Sequence, residues 1–205
     1  MPPPLRPQPI ARPKLLAGEG KGEVLFFKAL LNHLRVSDLQ VEEYGGKGNL
    51  SRYLRELSLR PGYPSLVALG ITRDADGPVA QAFQSVCSLL GNVGLAAPAG
   101  AGQIAAGPPR VGVFLLPDNA RAGMLEDLCL DAVSADGAMP CVDDHFRCLS
   151  GWTGWQPGNR AKARVHTWLA SRVEPDRRLG EAAQAGYWPW NSLAFVPLIQ
   201  FLRSL

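Results

Sequence analysis

Long apolar runs, paired cysteines and patterned histidines are all missing from this chain, and each absence closes off a class of protein. No apolar run approaches the ~20 residues that span a bilayer, so the sequence predicts no membrane helix and no membrane partner. The four cysteines, Cys87, Cys129, Cys141 and Cys148, form no Cys-x-x-Cys pair. That leaves neither a zinc knuckle nor a disulfide framework. His33, His145 and His166 show no His-Glu-x-x-His spacing, which argues against a histidine-ligated metal. No Gly-x-x-x-x-Gly-Lys is present, so there is no P-loop. Gly18-x-Gly20 has Glu23 where a dinucleotide fingerprint needs a third glycine, and Glu19 would set negative charge beside a pyrophosphate. Strong net charge is lacking too: +3 over 205 residues permits a nucleic-acid partner without demanding one. The N-terminus has five prolines in its first nine positions and no apolar segment, which excludes a secretory signal. Residues 1–13 therefore read as a disordered, Pro-rich lead-in adding little to the core, and a cytoplasmic location follows by default.

What is present is globular: 46% hydrophobic and 19% charged residues, enough for one core. Leu15-Leu16-Ala17 is a short strand ending in Gly18-Glu19-Gly20-Lys21-Gly22. Phe27, Leu30, Leu31 and Leu34 then recur at helical spacing. Leu39 to Tyr44 predicts a second strand. Asn49 is a candidate cap for a helix with Leu50, Tyr53, Leu54 and Leu57 on one face. Leu66 to Thr72 is apolar throughout, as a strand covered on both faces should be. Arg73-Asp74-Ala75-Asp76-Gly77-Pro78 follows it, then a helix with Val79, Ala82, Phe83, Val86 and Leu90 inward. Ala96 to Pro109 is an uncharged Ala/Gly/Pro loop. Arg110 to Leu116 is a fourth strand, and Gly123 to Ser134 a fourth helix.

Strands alternating with helices predict an α/β fold, with a Rossmann-like parallel sheet of about four strands flanked by helices. From about Pro140 only helices are predicted, over 159–172, 178–185 and 192–205. The division is then 14–139 for the α/β domain and 140–205 for a helical extension capping it. Trp152, Trp155, Trp188 and Trp190 read as the core of that cap, with a protein-docking surface as the alternative.

Ligands of open parallel sheets bind at the carboxyl ends of the strands, and this chain places acids there: Glu19, Asp74, Asp76 and Asp118. Close carboxylates repel by roughly 1 to 4 kcal/mol per pair, which a divalent cation such as Mg²⁺ or Mn²⁺ removes. If Glu19, Asp74 and Asp76 converge, Asp76→Asn should stabilise the metal-free protein. The alternative is that these acids serve helix N-termini, and for Asp118 the two readings are evenly balanced.

Glu19-Gly20-Lys21-Gly22-Glu23 after one strand, and Asp74-Ala75-Asp76 after another, resemble the two signatures of the Toprim domain. Gly45-Gly46-Lys47-Gly48-Asn49-Leu50, residues 70–76, 111–119 and 123–128 resemble, more narrowly, the Toprim-like family known as domain of unknown function 3226. That likeness continues through 162–169 and 179–205. Two positions depart from the Toprim pattern: Gly18 stands where a β-branched aliphatic is usual, and Glu23 where an aspartate is; Glu23, Asp118 and Asp127 are further candidate site acids behind the principal ones. The resemblance implies a metal-dependent nuclease related to those of the overcoming-lysogenization-defect type. Glu19 would be metal ligand or general base, Asp74 and Asp76 the Mg²⁺ ligands, and Glu126 the holder of a second ion. Asp127 would serve the α-helix N-terminus instead. Lys162 would lie near the scissile phosphate, a surface lysine being the ordinary alternative. The resemblance also implies an ATPase partner in phage defence.

Lys21, Lys47, Arg73, Arg121 and Arg164 are candidate contacts to a DNA or RNA backbone, with Arg110 and Arg160 beside them. Two other functions compete: a catalytically degenerate binding module, and a haloacid dehalogenase-like phosphatase with Asp74 as nucleophile. Against the phosphatase, its loop normally follows the first strand, and Pro78 replaces the usual Thr or Val.

Overall fold

Successive side chains of a strand point to opposite faces of its sheet, and here both faces are apolar. Leu15 and Ala17 contribute to one buried cluster and Leu16 to the other; Val111, Val113 and Leu115 oppose Phe114 and Leu116 in the same way. The sheet therefore needs covering twice, and the connecting helices do so. The computed structural model describes residues 9–205 as β1 (Lys14–Gly18), α1 (Lys21–His33), β2 (Leu39–Glu43), α2 (Leu50–Leu57), β3 (Ala68–Asp74), α3 (Val79–Gly91), β4 (Ile104–Ala105), β5 (Arg110–Leu116), α4 (Leu125–Ala132), α5 (Met139–Thr153), α6 (Arg160–Ala170), α7 (Leu179–Gln184) and α8 (Val196–Ser204). The strand order is β2-β1-β3-β5-β4. The first four are mutually parallel and β4 runs antiparallel to β5. This is the expected Rossmann-like α/β arrangement. Among the described residues, no helix is long and apolar enough to cross a membrane.

Residues of α2 and α3 cover one face, and α1 with the C-terminal helices covers the other. α7 packs on α1, α6 on α4, and α8 over β5. Two glycines make room for α8. Gly70 and Gly112 are register partners on neighbouring strands. A Cβ on Gly70 would stand 2.6 Å from a Leu205 methyl, and one on Gly112 2.7 Å from the Phe201 ring. The missing side chains are the floor on which Phe201 and Leu205 rest. Trp168 and Trp188 stack in the same core with centroids 5.0 Å apart, and Trp190 packs on Phe26 and Phe195. The tryptophans thus divide, since Trp152 and Trp155 remain exposed.

Several local expectations change. Residues 1–8 of the Pro-rich lead-in lie outside the described residues; among residues 9–13, Ile10 alone joins the core and the other four are exposed. Ile10 is buried and its N–H donates to the Pro61 carbonyl at 2.8 Å. The Ala/Gly/Pro stretch carries β4, a fifth strand too short for its two residues to show any periodicity. β3 begins and ends two residues later than its apolar run, which makes Asp74 its last residue. Asn49 does not cap α2; a 3₁₀ turn at Lys47–Asn49 leads into the helix, and the Asn49 amide donates to the Gly45 carbonyl instead. α5, unassigned in the sequence reading, buries only Met139, Val142 and Phe146, too few apolar positions over 15 residues to reveal a helix.

Candidate metal centre

Parallel neighbours end at a common rim, so β1, β2 and β3 deliver their last residues to one place. Glu19 follows β1, Asp74 closes β3, and Glu23 reaches in from the first turn of α1. One carboxylate oxygen from each of these three acids lies within 4.8 Å of the others. At that spacing, each ionised pair repels by about 3 kcal/mol at an effective dielectric of about 20.

Glu23 is the most enclosed of the three and is held from two sides. Its Oε2 accepts the Glu19 N–H at 3.0 Å and the Thr72 hydroxyl at 3.1 Å. The Tyr44 hydroxyl, arriving from the end of β2, donates to the Thr72 carbonyl at 3.0 Å. Gly18 gives Glu23 its space: a Cβ there would sit 3.0 Å from Glu23 Oε2 and 3.3 Å from Glu23 Cβ. Gly18 and Glu23 are therefore complementary, a long acid fitting where the strand end has no side chain.

Asp74 is oriented by α4. Ala75 bridges to Gly123, whose N–H donates to the Ala75 carbonyl at 2.7 Å, and this ties the start of α4 to the end of β3. The Leu125 N–H then donates to Asp74 Oδ1 at 3.1 Å. Around Glu19, the loop at Gly45 and Gly46 folds back with both N–H groups on the Glu19 carbonyl. The Lys47 N–H donates to Glu19 Oε1 at 3.2 Å, whereas Oε2 is buried with no hydrogen-bond partner.

Burial, and then the charge of Asp74, push Glu23 from the usual carboxylate range up to about 8; the Glu19 N–H and Thr72 hydroxyl oppose the shift. Burial, and then the charges of Glu126 and Glu19, push Asp74 up to about 7. Tyr44 is raised by burial and by the same acids. Desolvation and mutual repulsion can be relieved here in two ways, by protons or by a cation.

The other candidates fall around this group. Asp76, expected beside Asp74, is not one of the three: it is exposed, and Lys47 Nζ pairs with it at 2.8 Å. Side chains two apart share a face only while the strand continues, and β3 stops at Asp74. Glu126 is half-buried in the first turn of α4, close enough for its charge to act on Asp74. Asp127 accepts the Met124 N–H at 2.9 Å and so serves the start of α4. Asp118 accepts the Ala120 and Arg121 N–H groups and pairs with the Arg121 side chain at 2.9 Å, an arrangement that closes its own turn. Lys162 is exposed in the first turn of α6, and its ammonium has no ion pair among the described residues.

Of the candidate backbone contacts, Lys47 and Arg121 are engaged with Asp76 and Asp118, and Arg164 pairs with Asp143 at 2.7 Å. Lys21 is exposed at the start of α1. Arg73 donates to Ser85 at 3.1 Å and keeps its Nε buried without a partner. Lys47 and Arg73 also border a cavity of about 260 Å³ whose other walls include Asp74 and Asp76.

Sequence reasoning missed Thr72 and Tyr44. The one available signal was Thr72 itself, a hydroxyl inside an apolar strand two residues before an acid.

The family model described as "Protein of unknown function (DUF3226)" matches residues 13–205, while no curated protein and no solved structure matches the chain. The match takes in the three acids, the Gly45-Gly46-Lys47 loop and every C-terminal helix, and the chain accordingly belongs to the DUF3226 family.

Proposed function

We propose that the protein is a metal-dependent phosphodiester hydrolase acting on nucleic acid, with Glu19, Glu23 and Asp74 holding Mg²⁺ or Mn²⁺. The observation that carries this reading is the convergence of the three acids within 4.8 Å, with Glu19 Oε2 buried and without a donor. The donor set fits a hard divalent cation, which takes carboxylate oxygens. Among the described residues Glu19 Oε2, Glu23 Oε1 and Asp74 Oδ2 make no hydrogen bond, so each acid has an oxygen to offer. The resemblance of Glu19-Gly20-Lys21-Gly22-Glu23 and Asp74-Ala75-Asp76 to the Toprim signatures supports the same reading and suggests nuclease chemistry for it.

When bound, the ion would supply Lewis acidity to a phosphate oxygen and offset charge on the leaving oxygen. The chain's own residues do the rest. Thr72 and Tyr44 fix the Glu23 carboxylate, and the Leu125 N–H fixes Asp74. Glu19, with Oε2 given to the ion, orients the attacking water beside it. Lys47 and Arg73 line the cavity beside Asp74 and hold the phosphate; Lys47 can exchange Asp76 for that phosphate, because the pair is exposed. Glu126 stands close to Asp74 as the acid for a second ion.

The test is incubation of the purified chain with single-stranded and duplex DNA and with RNA, in Mg²⁺ or Mn²⁺, alongside para-nitrophenyl phosphate. Cleavage of nucleic acid is expected, falling by more than about 100-fold in Asp74→Asn and Glu23→Gln, beyond what loss of a supporting contact costs. Turnover of the small phosphomonoester with no nucleic-acid cleavage would favour the phosphatase alternative.

A further inference from the structure

A groove of about 740 Å³ lies between α5 and α6, apart from the three acids. Phe146 and Arg147 of α5, Arg160 and Arg164 of α6, and Trp155 and Gln156 of the connecting loop line it. Its character is set by two features. The first is aromatic surface left in water: Trp155 is 55% exposed, and Trp152, one turn away, is 87% exposed. Tryptophan carries the largest apolar surface of any side chain, and this chain buries Trp168 and Trp188 almost completely. The second is cationic excess. Asp143 also lines the groove and pairs with Arg164, and Arg147 pairs with Asp144, so the excess is the one charge of Arg160, which has no ion pair among the described residues. Arg164 Nε is buried without an acceptor.

The helix that forms one wall of the groove is also tied to the acidic site. Asn159 starts α6, and its amide contacts the Met124 sulfur at 3.4 Å. The next residue, Leu125, donates the N–H that orients Asp74. Exposed Lys162 stands on the same first turn of α6.

Cations in a channel with exposed indole faces match one polymer above others. A single-stranded nucleic acid offers phosphates to the arginines and unstacked bases to the tryptophans. Duplex hides its base faces, and an acidic peptide has charge but nothing flat to stack. We propose that the α5–α6 groove is a track for single-stranded nucleic acid, with a base on Trp155 and phosphates on Arg160, Arg147 and Arg164. This deepens the nuclease reading, and rests on it for where the strand leads.

Fluorescence anisotropy in EDTA tests binding apart from cleavage. The probes are a labelled oligothymidylate of about 12 nucleotides, a hairpin duplex of equal charge, and an oligoglutamate competitor. The single strand should bind more tightly than the duplex and with affinity that falls as salt rises. Trp155→Ala should weaken binding by about tenfold, and Arg160→Ala should weaken it and reduce the salt slope by about 1. Both side chains are at the surface, so melting temperatures should match the wild type. Unweakened binding by both variants, or oligoglutamate competing as well as the oligonucleotide, overturns the track. Groove-dependent binding with no cleavage in Mn²⁺ removes the nuclease reading and leaves the track standing; cleavage with unweakened variants does the reverse.

Discussion

Glu23 is one methylene longer than an aspartate, and the room for that methylene comes from Gly18. Elsewhere in a strand, Gly→Ala is neutral or stabilising. Here the new Cβ meets the Glu23 side chain, so Gly18→Ala should cost about 1 to 3 kcal/mol as overpacking. Shortening the acid should recover part of it: Gly18→Ala with Glu23→Asp is expected to show a coupling on the order of 1 kcal/mol in a urea-unfolding cycle. Strict additivity would mean the two positions do not share the space. The same residue sets a pH dependence. Glu23 is raised from 4.5 to about 8 and Asp74 from 3.8 to about 7. Both folded values lie above the unfolded ones, so the stability they contribute is complete below about pH 4 and is lost as pH rises through 7 to 8. The metal-free melting temperature should therefore decline from pH 5 to pH 8, and Glu23→Gln should flatten that decline; a wild-type melt that is flat over this range contradicts the burial of these acids. Asp76→Asn, the substitution expected from sequence to relieve repulsion, should instead have little effect, since all it removes is a solvent-screened pair with exposed Lys47. Glu19 and Asp74 were legible because each ends an obviously apolar strand. Asp76 stands outside the three-acid cluster because β3 ends at Asp74 and the chain turns at Ala75 to bridge Gly123, whereas the place of Glu23 depends on the missing side chain of Gly18, which no periodicity shows.

At the scale of elements, periodicity revealed every segment that buries a full face. β1, β5 and α3 are apolar at their core-facing positions, and the sequence reads them nearly to the residue. Segments with little apolar commitment stayed hidden: β4 has two residues, and α5 is mostly solvated. The seating of α8 was hidden for another reason, since it depends on side chains that are absent. Gly70 and Gly112 look like weak points in strands, yet they are where Leu205 and Phe201 fit. Gly112→Val would favour strand propensity while driving its methyls into the Phe201 ring and the Ile104 side chain. Sterics should win by about 3 kcal/mol, read as a fall in the urea midpoint, because the backbone around Gly112 is hydrogen-bonded on both sides and cannot yield. A Gly112→Val protein as stable as the wild type would show that α8 is not seated there.

For the whole molecule, the three acids join parts of the chain that meet only on folding. Glu19 follows β1, Glu23 lies on α1 and Asp74 on β3, and Asp74 is aimed by an N–H of α4. An unfolded chain offers no such site, so an ion held there adds its binding free energy to the native state alone. At a Mg²⁺ concentration about 100 times its dissociation constant, the gain is about 2.7 kcal/mol. For a domain of this size that amounts to a rise of about 5 to 10 °C in melting temperature. The ion competes with protons, because Glu23 and Asp74 hold theirs up to about pH 8 and 7. Near pH 8 Asp74 has lost its proton and only about half of Glu23 keeps one, whereas at pH 6 both protons must leave before the ligands are available. At one fixed Mg²⁺ concentration and ionic strength, the metal-induced rise should be large at pH 8 and small at pH 6. Glu23→Gln should reduce the rise at pH 8. An equal rise at both pH values, or one undiminished in Glu23→Gln, would place the ion on other acids and leave Glu19, Glu23 and Asp74 as a proton-holding cluster with no metal to serve.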